Sequence, residues 1–203
     1  MDQRAKVIRY SMVLIAALAL ISGGLALYHR TQPYHLLTVT PGKLYRSGTL
    51  KPQHLEKVLD HFQIKTVVSL RTEGENAQGS WYAAEREICR RKGVDLRELP
   101  IDEPPSEEQV TQWLDLLAQE DRAPILVHCK HGSVRTGIMV AIYQMEYLRQ
   151  DNEKTLSELP LFGHDMSDPV RLPLREFLLN YIPSWKKEPS SRKFHLPGDE
   201  GGK

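Results

Sequence analysis

PILVHCKHGSVRTG, residues 124–137, is the stretch whose reading decides the fold. Pro124–His128 is a short apolar run, read as a central buried strand. It leads straight into Cys129–Arg135, and a helical pattern follows from about Thr136 to Gln150. Upstream, Leu36–Ser47 reads as a hairpin around the turn signal Pro41-Gly42. A helix starts at Pro52 with Leu55, Val58, Leu59 and Phe62 on one face. Ile64–Leu70 is a second buried strand and Gly74–Gly79 a loop. Ser80 caps a helix that Gly93 ends after Lys92. Val94–Ile101 is a third strand, and Ser106 with Gln109 makes a capping box for the helix carrying Val110, Trp113, Leu114 and Leu117. Two helices follow, near Asn152–Leu159 and Pro169–Tyr181. Strands alternating with helices give an α/β class: a central, mostly parallel sheet flanked by helices.

The chain has 203 residues and a formal net charge of +1. The length suits one domain with a full core plus terminal segments. The near balance of charge gives no field of one sign, so a nucleic-acid partner is excluded at this level. Two cysteines, Cys89 and Cys129, are too few for a disulfide framework. Cys89, inside a helix beside Ile88, reads as a core residue.

The N-terminus stands apart. Arg4, Lys6 and Arg9 precede an uncharged run from Tyr10 to Tyr28. As a helix that run would span roughly 28 Å, close to a bilayer core. The expectation is an N-terminal transmembrane helix, a single-pass anchor with the basic end cytoplasmic and the α/β domain periplasmic. A cleaved signal peptide near Ser22, Gly23 and Gly24, with a soluble periplasmic product, is the rival reading. The expected organisation is therefore 1–35 anchor and linker, 36–183 α/β domain, and 184–203 a disordered polar tail.

The loop after the central strand carries the chemistry. A loop that wraps into a helix N-terminus converges backbone N–H groups on one point and binds anions. The same field favours a thiolate at Cys129. Gly132 permits a backbone conformation closed to other residues, and Gly137 permits close packing beneath the loop. Arg135 can grip two oxygens of an oxyanion bidentately, which lysine cannot copy. Thr136 can donate its hydroxyl to the sulfur.

His128-Cys-Lys-His-Gly-Ser-Val-Arg-Thr-Gly137 resembles the active-site signature of the protein tyrosine phosphatase superfamily, a cysteine, five residues and an arginine followed by serine or threonine. GKLYRSGTL near the domain start and TVVSLR at a strand end add to it. With the signature in the C-terminal half, the context is most similar to small dual-specificity-like phosphatases, including bacterial secreted members. The resemblance covers roughly residues 36–183. It implies a metal-independent hydrolase without cofactor, acting on phosphorylated proteins or small phosphoesters. In it Cys129 is the nucleophile and Lys130, His131, Gly132, Ser133, Val134 and Arg135 wrap the phosphoryl group. His128 and Gly137 hold the loop.

Such an enzyme needs a general acid, which in the family is an aspartate upstream of the cysteine. Asp102 in LPIDEPPS is the match, with Glu103 as the alternative, and no Trp-Pro-Asp triplet is present. Arg71 reads equally as a contact for a substrate anion or as a surface ion pair. His164 and Asp165 invite a metal reading, which two ligands without partners do not sustain. Three rivals remain: an inositol-polyphosphate or other small-molecule phosphatase, a phosphate-binding pseudophosphatase, and a rhodanese-like sulfurtransferase. Arg135-Thr136 and an upstream acid favour phosphoryl chemistry.

Overall fold

The computed structural model of the chain describes residues 3–77 and 79–187, the side chains of 3–8 and 25–31 excepted. It divides into two units, Met1–Pro33 and Tyr34–Lys203. The first contains helix α1, Gln3–Thr31. Among the described residues no helix is long and apolar enough to cross a membrane. The expected transmembrane anchor fails on that finding. The membrane partner, the single-pass placement and the periplasmic orientation that rested on it fail with it.

The second unit is the α/β domain. Its elements run β1 (Leu37–Thr40), β2 (Leu44–Ser47), α2 (Pro52–His61), β3 (Thr66–Ser69), α3 (Glu73–Ala77), α4 (Ser80–Lys92), β4 (Asp95–Glu98), α5 (Glu107–Leu117), β5 (Ile125–His128), α6 (Val134–Tyr147), α7 (Asn152–Glu158), α8 (Leu172–Asn180) and α9 (Ser184–Lys187). The sheet order is β1-β2-β5-β3-β4. Only β1 is antiparallel, as the first strand of the hairpin. The other three pairings are parallel.

Alternation along β5 assigns the two faces. Ile125 and Val127 pack with Trp113 of α5, with Ile138 and Ile142 of α6, and with Leu174 and Leu178 of α8. Leu126 packs on the other side with Leu55, Val58 and Leu59 of α2 and with Ile88 and Cys89 of α4. Cys89 is therefore core, and burial pushes its thiol up to about 12, away from reactivity. Helix α6 is buried along almost its whole length from Thr136 to Met145, apart from the half-buried Gln144. A helix apolar all round must sit inside the layers, which fixes its N-terminus beneath the end of β5.

Local chemistry sets the boundaries. Gly93 ends α4 at φ +67, and both arms of the Ser106–Gln109 capping box are made. Two expectations shift. Gly79, not Ser80, is the N-cap of α4. The expected loop before it contains the short helix α3, because Thr72 exchanges hydrogen bonds with Glu75: Thr72 N donates to Oε2 at 3.0 Å. Past Pro183, Ser184 N and Oγ donate to Glu146, and Trp185 Nε1 donates to Met145 O at 2.9 Å. The rest of the expected tail, residues 188–203, lies outside the described residues.

Ser47 of β2 and Ser69 of β3 both pair with His128 of β5. The three parallel strands thus end level, and Cys129 leaves the sheet between its two neighbours. The crevice at the carboxyl ends of parallel strands is where such sheets place ligands.

Candidate active site

Cys129 is the first residue beyond β5 and is 3% exposed. The loop turns at once, so that Gly132 N donates to its Sγ at 3.2 Å. Gly132 stands at φ +67, and a Cβ there would collide with the backbone of Ser47 and Gly48. Only glycine suits both the conformation and the close approach. Gly137 packs against Leu159, whose side chain a Cβ would meet at 3.4 Å.

The loop carbonyls must point away if its amides are to converge on an anion. Arg46, in β2 and fully buried, arranges this. Its Nη2 donates to Gly132 O at 2.6 Å, to Ser133 O at 3.3 Å and to Pro160 O at 3.1 Å. Burial lowers its pKa to about 10, with the Cys129 charge pulling the other way, so at neutral pH it remains a cation under the loop. Thr49 Oγ1 donates to Cys129 O at 3.2 Å, and Thr49 N to Lys130 O at 3.2 Å. Ser133 Oγ donates to Leu161 O at 2.5 Å. His128 Nε2 lies 3.0 Å from Glu85 Oε1 of α4, both side chains buried.

Arg135, in the first turn of α6, is gripped end-on. Nη1 donates to Glu75 Oε2 at 2.6 Å and Nη2 to Oε1 at 3.0 Å, while Nη1 also reaches Leu70 O at 3.2 Å. This fork-to-fork pair fixes the guanidinium plane. The Nε atom lies outside that pair, with Glu103 Oε1 3.6 Å away. Arg71 does form an ion pair, its Nε 3.7 Å from Glu75 Oε1, but it is buried and not at the surface. It also donates from Nη1 to Thr49 Oγ1 at 3.0 Å and lies 3.7 Å over the Trp81 ring. It thus supports the cysteine loop through Thr49.

The remaining candidates divide. Thr136 is fully buried, and its Oγ1 has no hydrogen-bond partner. Val134 is half-buried at the start of α6. Lys130 and His131 are exposed on the loop, with the Tyr34 hydroxyl 3.1 Å from His131 Nδ1. Burial lowers the His131 pKa, and Lys130, His164, His35 and Arg135 lower it further. Asp102 is exposed and accepts from Gln109 Nε2 at 3.2 Å. Of the two loop carboxylates it is Glu103 that approaches Arg135. His164 Nδ1 accepts from Arg171 Nη2 at 2.9 Å, and Asp165 accepts from Ser167 N and Oγ.

Sequence reasoning missed Arg46, Thr49 and Glu75. Arg46 had a signal: a charge in the middle of LYRS, a strand buried at every position, needs an internal partner. Glu75 had none, since its role depends on how α3 folds back over α6.

The Glu75 pair makes a testable statement. Arg135 holds the Glu75 carboxyl well below its ordinary 4.5, at about 2, chiefly by hydrogen bonding. A depressed carboxylate stabilises the fold fully above its unfolded value and loses that contribution as pH falls toward the folded one. Glu75→Gln should therefore lower the melting temperature at pH 7, with the gap to wild type closing between pH 4.5 and 2. Thermal melts across that range check it; a gap independent of pH would contradict the pairing.

Comparison with known proteins agrees with this geometry. The family model described as "DSP-PTPase phosphatase fused to NAD+ Kinase" matches residues 42–167. The curated dual specificity protein phosphatase TpbA of Pseudomonas aeruginosa is 31% identical over 130 residues, 63% of this chain and 55% of the relative. The chain thus spans about half the length of that relative. The crystal structure of P. aeruginosa TpbA superposes with a TM-score of 0.58 at 27% identity, covering 73% of this chain and 86% of that one. A cysteine-to-serine TpbA variant in complex with pTyr gives 0.51 at 26% identity, over 74% and 99%. The core catalytic domain of the PP-IP phosphatase SIW14 from S. cerevisiae gives 0.62 over 76% and 90%, and at 17% identity speaks for the fold alone.

Proposed function

Because the chain belongs to the DSP-PTPase phosphatase family, we propose that it hydrolyses phosphomonoesters through a phosphocysteine at Cys129, most readily those of phosphorylated tyrosine, serine and threonine. The supporting observation is the cradle itself: Cys129 at the end of the central strand, a loop amide donating to its sulfur, and Arg135 in the first turn of α6.

In the first step the thiolate attacks phosphorus and the P–O bond to the alcohol breaks. Arg135 and the loop amides of Lys130 to Arg135 hold the equatorial oxygens. Asp102 gives its proton to the departing oxygen. In the second step water attacks the phosphocysteine, Asp102 takes its proton, and the P–S bond breaks. Thr136 Oγ1, buried and unpartnered, is suited to donate to the sulfur as it leaves. Glu103 is assigned no proton transfer. It sits by Arg135 Nε, where it would repel an arriving phosphoryl group and must give way to it.

A small multiply charged phosphoester is the second reading. The observation favouring it is the basic loop itself, with Lys130 and His131 exposed and Arg135 at the start of α6. SIW14, the more distant structural neighbour, is a PP-IP phosphatase by its description.

The mechanism is tested with aryl and alkyl phosphates in excess chelator. Activity should persist in chelator and be blocked by vanadate. Asp102→Asn should slow alkyl phosphate about 10²-fold or more and aryl phosphate far less, since a stable phenolate needs little protonation. Loss in chelator would contradict the metal-independent cradle. A shift of that selectivity to Glu103→Gln would move the acid by one residue. A panel of phosphopeptides and inositol phosphates separates the two substrate readings.

A further inference from the structure

The loop between β4 and α5 has to present a carboxyl group to the cysteine site. It is pinned at its start by backbone bonds to β3: Leu99 N donates to Ser69 O at 2.9 Å and Ile101 N to Leu70 O at 3.4 Å. It is pinned at its end by the cap of α5. Between those points lie Asp102, Glu103 and two prolines. One side chain bridges the gap. Gln109 Oε1 accepts from Ser106 N at 2.9 Å and from Asp102 N at 3.3 Å. Its Nε2 donates to Pro100 O at 2.9 Å and to Asp102 Oδ2 at 3.2 Å.

A capping box accounts for only the first of these bonds. Glutamate would make it as well as glutamine. The bond from Asp102 N also needs only an acceptor, but the two bonds from Nε2, to Pro100 O and Asp102 Oδ2, need the amide's donor. Gln109 thus holds Asp102 by both its main chain and its carboxylate. We propose that Gln109 is the positioning residue for the general acid, orienting the Asp102 carboxylate and holding the loop that carries it. This rests on Asp102 being the acid.

Gln109→Glu is the decisive substitution, because it keeps the cap and removes the donor. It also sets a like charge against Asp102. Other charged groups around the loop are Glu103, Glu107 and Glu108 on the loop and its helix, and the Arg135–Glu75 pair that Glu103 approaches. A further negative charge favours the protonated acid.

The experiment compares kcat and KM for an alkyl and an aryl phosphate across pH, using the full chain with Gln109→Glu, Asp102→Asn, both together, and Ser106→Ala. In Gln109→Glu, kcat for the alkyl phosphate should fall about tenfold, a part of the roughly 10²–10⁴ a general acid contributes, with KM little changed. The aryl phosphate should be nearly unaffected, and the alkaline limb of the pH–rate profile, where the general acid loses its proton, should move to higher pH. The double variant should be no slower than Asp102→Asn alone. Ser106→Ala should lower the melting temperature and leave the aryl-to-alkyl ratio unchanged, which separates positioning from capping. If Gln109→Glu folds poorly, Gln109→Met removes the donor without adding charge and is judged on the same ratio. An unchanged ratio and alkaline limb, with Asp102→Asn still selective for leaving group, would overturn the role of Gln109. An unselective Asp102→Asn would overturn the acid assignment, and the role of Gln109 with it.

Discussion

Replacing Cys129 by serine should abolish turnover while leaving phosphate binding in place. The cradle is built from backbone and from side chains other than the sulfur. Gly132 N points at position 129, Arg46 holds the loop carbonyls outward, and Arg135 is fixed by Glu75. None of these needs sulfur. Serine, however, supplies a neutral hydroxyl with no base beside it, which is a weak nucleophile. Losing a nucleophile costs on the order of 10⁴ or more in kcat, whereas phosphate affinity should stay within a few-fold. Steady-state kinetics and calorimetric titration with phosphate check both halves. Residual turnover above about a hundredth of wild type would place the nucleophile elsewhere.

Arg135→Ala should lose binding and turnover together, by about 10³ in kcat/KM, the scale of an arginine or oxyanion donor aimed at developing charge. Arg135→Lys should not rescue it. The guanidinium would do two things at once: two of its nitrogens grip Glu75, and Nε, outside that pair, would meet the phosphoryl group in the proposed mechanism. An ammonium has one centre and cannot satisfy both. If Arg135→Lys recovered most of the activity, the residue would be acting as a charge alone and the fork geometry would be irrelevant.

The strand–loop–helix core of the site was legible because it is local. PILVH reads as a buried strand, and Gly132 and Gly137 fall where the backbone must be tight. Arg135 belongs to the first helical turn whatever the rest of the fold does. The parallel sheet followed from alternation of apolar strands with capped helices. The supports of the loop were not legible, since each comes from a distant segment. Arg46 reaches it from β2, 86 residues before Gly132, and Glu75 reaches Arg135 across 60 residues. Gln109 was legible only as a cap. Its second use depends on the path of the loop before α5, which two prolines set and no periodicity reveals. The N-terminal run misled: its uncharged stretch has the length of a span, yet among the described residues no helix is long and apolar enough to cross a membrane.

The central claim is that phosphate passes through Cys129. The direct measurement is rapid acid quench of the full chain during turnover of an aryl phosphate, followed by intact and peptide mass analysis. The account predicts a transient adduct of one phosphoryl group on the peptide carrying Cys129. It should be longer-lived in Asp102→Asn, where the water has lost its base, and absent in Cys129→Ser. Burst-phase turnover with no adduct on that peptide, or an adduct on another residue, would contradict it.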